Sequence, residues 1–239
     1  MGEPNIVFED KYLLILDKPS GWIVNSAVTT KEQPVVQKWL RDNFDYEISK
    51  DDLFRSGVVH RIDKETSGLL IVAKTKTAFR ELQRQFKQRE VGKTYITLVH
   101  GKVSPEGGTI EVPVGRLPWR RDRFGIVAGG RNSKTDYKLL DLYKKDNDYY
   151  SLLECFPKTG RTHQIRIHMK HINHAIVGDY FYAGRKTSRR DREWCPRLFL
   201  HAQKISFTHP VFNKKIEFEL SLPSDLNKAL KNLSLEKEV

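Results

Sequence analysis

A chain of 239 residues with 38% hydrophobic and 30% charged side chains is long enough for a sizeable core and too mixed for wholesale disorder. Lys and Arg number 42 against 30 Asp and Glu, a net charge of +12 with a pI near 9.6, so the surface field favours a polyanion: RNA, DNA or an anionic membrane surface. No apolar run approaches the roughly 20 residues that span a bilayer, the N-terminal MGEPNIVFEDKY has neither a secretory nor a transit pattern, and Cys155 and Cys195 form no CxxC pair or zinc-finger spacing. A protein without membrane contact, in a reducing cytoplasm and facing nucleic acid, is expected.

In chain order, Ile6 to Phe8, Leu13 to Leu16 and Trp22 to Val24 read as strands, and Pro34 to Phe44 as a helix. Leu69 to Ala73 is the next strand. Thr77 to Arg89 is a helix with Phe79, Leu82 and Phe86 on one face and Arg80, Arg84 and Lys87 on the others. Tyr95 to Val99 and Thr109 to Val114 follow as strands. Tyr137 to Tyr143 and Tyr149 to Phe156 are joined across KKDND, and Ile205 to Thr208 and Ile216 to Leu220 across HPVFNKK, as antiparallel hairpins. Between these pairs, Thr162 to Ile172 reads as a helix with Ile165, Met169 and Ile172 inward, and Ser224 is placed to cap a last helix over Asp225 to Leu233. Strands and helices intersperse without regular alternation, which predicts an α+β protein with a large mixed, mostly antiparallel sheet. With no repeat, low-complexity tract or linker, residues 1–239 read as one domain.

Two stretches, 118 to 135 (LPWRRDRFGIVAGGRNSK or thereabouts) and 184 to 197 (GRKTSRRDREWCPR), concentrate arginine in predicted loops with Trp119, Phe124 and Trp194 interleaved. Basic loops carrying aromatics suit a surface that tracks a nucleic-acid backbone and stacks on bases, though a solvated charged loop has the same composition. Gly92-Lys93-Thr94 imitates the end of a phosphate loop, but the glycine required five residues earlier is Lys87. No G-x-G-x-x-G opens a helix and no G-x-S-x-G elbow exists. His163, His168, His171 and His174 lie close together without an acidic residue in their run, so cationic or hydrogen-bonding surface histidines are expected there rather than a metal site.

The segment VVHRIDKETSGLL holds a single aspartate, Asp63, among His60, Arg61, Lys64, Thr66 and Ser67, between apolar flanks that read as strand cores. A turn residue accepting backbone hydrogen bonds is the ordinary role for such an aspartate. A neighbouring arginine favours the anion, which suits a nucleophile or base better than an acid.

HRIDKETSGLLIVAKT resembles the HRLD-x-x-TSG signature of the RluA-type pseudouridine synthases, with Ile62 for the usual leucine. IVFEDKYLLILDKPSGWIV resembles that family's opening hairpin, GKTYITLVHG its K-x-Y strand, and KTGRTHQIRIHM its GRTHQIR helix start. VGDYFY resembles its G-D-x-x-Y turn, and LFLHA, FTHP and LPSD its closing strands; in order, these motifs cover about residues 5 to 225. Val24-Asn25-Ser26 stands where the family usually has V-H-P, and His174-Ala175-Ile176 replaces a common H-P-I.

The resemblance implies the pseudouridine synthase fold with a central basic cleft, and isomerisation of uridines in ribosomal or transfer RNA without cofactor or metal. It implies Asp63 as the essential carboxylate, attacking ribose carbon 1 or the uracil ring, or abstracting a ribose proton. Arg166 would be its cationic partner, with Arg161 the competing candidate and better suited to a phosphate. Tyr95 would stack on the base and could take the carbon 5 proton, although a core tyrosine on a strand is the plain alternative. His60 and Arg61 would contact or replace the flipped base, and Leu200 would wall the uracil. Arg120, Arg121, Arg189 and Arg190 are expected on the RNA backbone. The chain is expected to work as a monomer without a separate N-terminal RNA-binding domain. The rival readings are a catalytically inactive RNA-binding protein on the same fold and a metal-dependent nuclease built on the histidines.

Overall fold

The computed structural model describes residues 2–27, 30 and 32–236; the side chain of Arg121 lies outside the described set. The chain forms two compact units, residues 1–93 with 202–220 and residues 94–201 with 221–239.

In the first unit, β1 (Asn5–Glu9) pairs antiparallel with β2 (Leu13–Lys18), which pairs antiparallel with β3 (Ser67–Ala73). Leu13 to Leu16 and all of β3 are buried, the mark of strands covered on both faces, so their apolar runs are continuous rather than alternating. Helix α1 (Val36–Asn43) buries Val36 and Leu40. Helix α2 (Lys76–Gln88) starts where the Thr75 side chain accepts from the Ala78 amide at 3.2 Å and stops at Arg89, whose φ of 63° leaves the helix. Its Ala78, Phe79 and Leu82 pack with Leu13, Ile15, Leu69, Ile71, Ile205 and Phe207. Gln85, fully buried on the same face, joins both amide atoms to the backbone of Thr208 at 2.8 and 3.0 Å. Thr208 closes β10 (Leu200–Thr208), which pairs antiparallel with β11 (Lys215–Glu219).

In the second unit, β4 (Gly92–His100), entering at Thr94, pairs antiparallel with β9 (Asp148–Pro157), and β9 with β8 (Lys134–Lys145). Two short strands, β5 (Gly107–Glu111) and β12 (Ser234–Leu235), also pair with β8. A separate two-stranded hairpin joins β6 (Val114–Leu117) to β7 (Arg120–Ile126). Helices α3 (Gln164–His171), α4 (Arg185–Asp191) and α5 (Ser224–Leu230) complete the unit. Leu98, Leu153, Met169, Ile176, Phe199 and Leu226 are among its core residues.

The α+β class and both expected hairpins are borne out. Four local expectations are corrected. Trp22 to Val24 contributes one isolated bridge, Ile23 to Val35, because its backbone bonds go to Pro34, Val36 and Gln37 at the start of α1 rather than to a neighbouring strand. The predicted loop at 118 to 135 contains β7, held by ladder bonds rather than by an apolar face. The other predicted loop contains α4, whose RKTSRRD sequence has no apolar stripe to reveal it. Ser224 is the first helical residue, behind Pro223 at the cap position, with no side-chain cap bond.

Candidate active site

Asp63 lies on the irregular stretch between the 3₁₀ turn Arg55–Gly57 and β3, and is half-buried. That stretch is tied down through its main chain. The Thr66 amide donates to the Asp63 carbonyl at 3.2 Å, the Gly21 amide to the Lys64 carbonyl at 2.7 Å, and the Ser20 hydroxyl to the Glu65 carbonyl at 2.7 Å. Beneath them Lys18 is fully buried, its Nζ donating to the carbonyls of Pro19 and Trp22, each at 2.9 Å, and of Lys64 at 3.3 Å. A buried ammonium is tolerated when carbonyl oxygens replace its water. The DKPSG segment and the aspartate segment are thus laced together. Gly68 follows with φ 115°, and a Cβ there would stand 2.3 Å from the Ala202 carbonyl, so only glycine lets β3 start this close to β10.

Within this stretch Arg61 is exposed and Ile62 buried. His60 is placed differently from a base-contacting residue. Its Nε2 accepts from the Ile71 amide at 2.9 Å and its ring stacks on Phe86 with centroids 4.7 Å apart. Burial, reinforced by the Lys93 charge, lowers its pKa to about 3, so the ring is neutral and its bond to Ile71 requires the proton on Nδ1. His60 therefore braces β3.

In the second unit Arg166 is buried on α3 and forms a two-pronged pair with Asp179: Nε to Oδ2 at 2.7 Å and Nη2 to Oδ1 at 2.8 Å. Tyr95 is half-buried on β4 opposite Cys155, and Leu200 is buried at the start of β10. Arg161 precedes α3 by three residues rather than opening it. Its Nε and Nη2 both donate to the Asn132 carbonyl at 3.2 Å, and its amide donates to Gln164 Oε1 at 3.0 Å. Arg120 is exposed on β7, 3.6 Å from Asp122, and Arg189 and Arg190 are exposed on α4. Arg121 lies on β7, and its side chain is outside the described residues.

A family model described as RNA pseudouridylate synthase matches residues 12–171, which include Asp63, Tyr95 and Arg166. The chain is 36% identical over 229 residues to the uncharacterized RNA pseudouridine synthase YlyB of Bacillus subtilis, covering 96% of this chain and 72% of that protein. The chain belongs to the RNA pseudouridylate synthase family. It is an RNA pseudouridine synthase, and so an isomerase. It is 37% identical over 234 residues to ribosomal large subunit pseudouridine synthase D of Nitrosomonas europaea, covering 95% of this chain and 65% of that protein. Among solved structures, human RNA pseudouridylate synthase domain containing 1 superposes with a TM-score of 0.75 at 27% identity, covering 99% of this chain and 90% of that one.

Of the synthase's four clustered histidines, expected at the surface, His171 is exposed, whereas His163 and His174 are half-buried and His168 is buried, each with a hydrogen-bond partner. His163 Nδ1 lies 2.9 Å from the Tyr182 hydroxyl and His174 Nδ1 2.7 Å from the His100 carbonyl. His168 is fully buried, with Nε2 2.8 Å from the Ser133 hydroxyl, and burial lowers its pKa to about 4. No group of three or more His, Cys, Asp or Glu among the described residues is placed to hold a metal ion. Both cysteines are buried thiols; burial pushes Cys195 up to about 11 and Cys155 further in the same direction. Lys18 and Asp179 are the site-supporting residues that sequence reasoning passed over. Both lay inside quoted motifs, DKPSG and VGDYFY, and the signal that could have found them is a charged residue amid residues that must be buried.

Proposed function

We propose that this synthase converts uridine to pseudouridine in ribosomal RNA, with transfer RNA the second candidate, and that Asp63 is the carboxylate it depends on. The names of relatives such as the Nitrosomonas protein support the ribosomal reading. The observation that carries the role of Asp63 is its setting. One half-buried carboxylate sits on a segment fixed by Lys18, Ser20 and Gly21 through the backbone carbonyls of the two residues that follow it. Positioning of this kind suits a group that must meet a reacting atom in one geometry.

In the reaction, the bond from ribose carbon 1 to uracil nitrogen 1 breaks, the base turns, and a bond from ribose carbon 1 to uracil carbon 5 forms. Carbon 5 loses its proton and nitrogen 1 gains one, so neither electrons nor phosphates are transferred, and the chemistry calls for no cofactor. Asp63 attacks ribose carbon 1 or the ring, or abstracts a ribose proton. Arg166 supports the carboxylate's charge, Tyr95 stacks on the base and takes the carbon 5 proton, and Leu200 supplies an apolar wall, in keeping with the family resemblance. The nucleotide must first leave its stack, at a cost of a few kcal/mol. Arg61, exposed beside the braced His60, is the side chain that fills the gap. Arg161, Arg120, Arg189 and Arg190 take phosphates, with the net charge of +12 drawing the RNA in. We place this work in the cytoplasm and in a monomer.

The test is tritium release from RNA labelled at uridine carbon 5, using cellular RNA lacking pseudouridine and comparing wild type with Asp63→Asn. Release by wild type alone is expected. Equal release by both would remove Asp63 from the chemistry, and release by neither would favour an inactive RNA-binding protein on this fold.

A further inference from the structure

The turn from Gly178 to Tyr182 lies beyond the stretch matched by the family model and touches three functional segments of the second unit. Asp179, fully buried, holds the Arg166 guanidinium with both oxygens, and its Oδ1 also accepts from the amides of Phe181 and Tyr182 at 2.9 and 3.1 Å. One carboxylate therefore fixes the cation and the turn's backbone together. The rings of Phe181 and Tyr182 stand 5.5 and 5.1 Å from the guanidinium carbon, so the cation is also lined by aromatic faces.

From there Tyr182 reaches the β6–β7 hairpin. Its hydroxyl donates to the Phe124 carbonyl at 3.1 Å, which spends its only proton, so His163 Nδ1 at 2.9 Å must be the donor to the same oxygen. The hairpin end met there is basic: Arg116 lies 4.8 Å over the Phe124 ring and Arg123 5.3 Å over Phe181. On the other side of the turn, the Gly178 amide donates to Asp191 Oδ2 at 2.8 Å. Asp191 is the last residue of α4, directly after Arg189 and Arg190, and the same oxygen lies 3.1 Å from His100 Nε2. Gly178 has φ 74°, and a Cβ there would stand 2.4 Å from the Arg197 carbonyl, so this closely packed backbone has little room to shift. Two basic segments are hydrogen-bonded to the turn that orients Arg166.

We propose that Tyr182 is a positioning residue whose hydroxyl couples the β6–β7 hairpin to the Asp179–Arg166 pair, so that RNA held by the hairpin's arginines sets the guanidinium for the reaction. This rests on the reading of Arg166 given above. Tyr182→Phe keeps the ring beside the guanidinium and deletes the bridge to Phe124 and His163. The single-turnover rate on saturating RNA should fall about 5- to 10-fold, the lower range of couplings between sites, with RNA Kd changed less than about twofold. Arg116→Gln/Arg120→Gln removes cations from the hairpin and should slow the rate by itself. Adding Tyr182→Phe to it should then slow the reaction no further, because the hydroxyl has nothing left to transmit. An unchanged rate in Tyr182→Phe, a loss confined to Kd, or full additivity with the hairpin variant would overturn the proposal. Amide exchange gives a readout independent of turnover: exchange across residues 114–126 and 164–171 should quicken in Tyr182→Phe while residues 148–157 stay unchanged, and no change in the first two would likewise overturn it. If wild type releases no tritium, the functional reading fails, and the exchange result alone decides whether the coupling exists.

Discussion

The two units anchor Asp63 and Arg166 through different kinds of bond. Around Asp63 the bonds run to the main chain: Lys18, Ser20 and Gly21 grip carbonyls at positions 64 and 65, next to the aspartate. Around Arg166 the Asp179 carboxylate holds the side chain itself. Main-chain anchoring fixes a position whatever residue stands there, whereas side-chain anchoring makes the orientation of one group depend on a few other groups. The first arrangement suits a residue whose backbone must keep one place, the second a cation that must hold one direction.

Substitutions at the two anchors sharpen that difference. Asp179→Ala leaves a buried guanidinium without its carboxylate and should cost about 3–5 kcal/mol of stability, read as a lower denaturation midpoint in urea; a loss under 1 kcal/mol would show that Arg166 relaxes to another partner. Lys18→Met strands the carbonyls of Pro19, Trp22 and Lys64. It should cost about 1–3 kcal/mol and lower the turnover rate through Asp63, whereas full stability with full activity would break the case for main-chain anchoring.

Acid should act on both units. His60 and His168 have pKa values lowered by burial to about 3 and about 4, below the ordinary 6.5. Between those values the unfolded chain binds protons that the folded chain refuses, so stability falls as pH drops from about 6.5 towards 4 and 3. Denaturation midpoints measured from pH 7 to pH 4 should follow that slope, and His168→Gln should flatten it; an identical slope in the variant would remove His168 from the account. The smallest effect is expected at the surface. Neutralising Arg189 and Arg190 on α4 should weaken RNA binding broadly and reduce the salt slope of log Kd by about one to two, and an unchanged slope would take α4 off the RNA.

Much of this was readable in the residues. Leu13 to Leu16 could only be a buried strand, Phe79 and Leu82 set the inner face of α2, and the HRIDKETSG segment carried both the family and its aspartate. Strand β7 (Arg120–Ile126) and helix α4 were missed because their sequences bury few apolar side chains and so carry no period. His60 was expected at the flipped base because it stands beside Arg61 and close to Asp63 in sequence, yet its ring is turned to Phe86 and the Ile71 amide.

By itself the sequence determined the fold class and the family, because these rest on local apolar patterns and on residues contiguous in the chain. Tertiary structure alone decided who holds whom. Lys18 meets the Lys64 carbonyl 46 residues away, Asp179 meets Arg166 across 13, and Tyr182 meets Phe124 across 58. No local propensity encodes such pairs. A buried charge takes whichever partner the folded backbone brings within about 3 Å, and only the fold determines which one arrives.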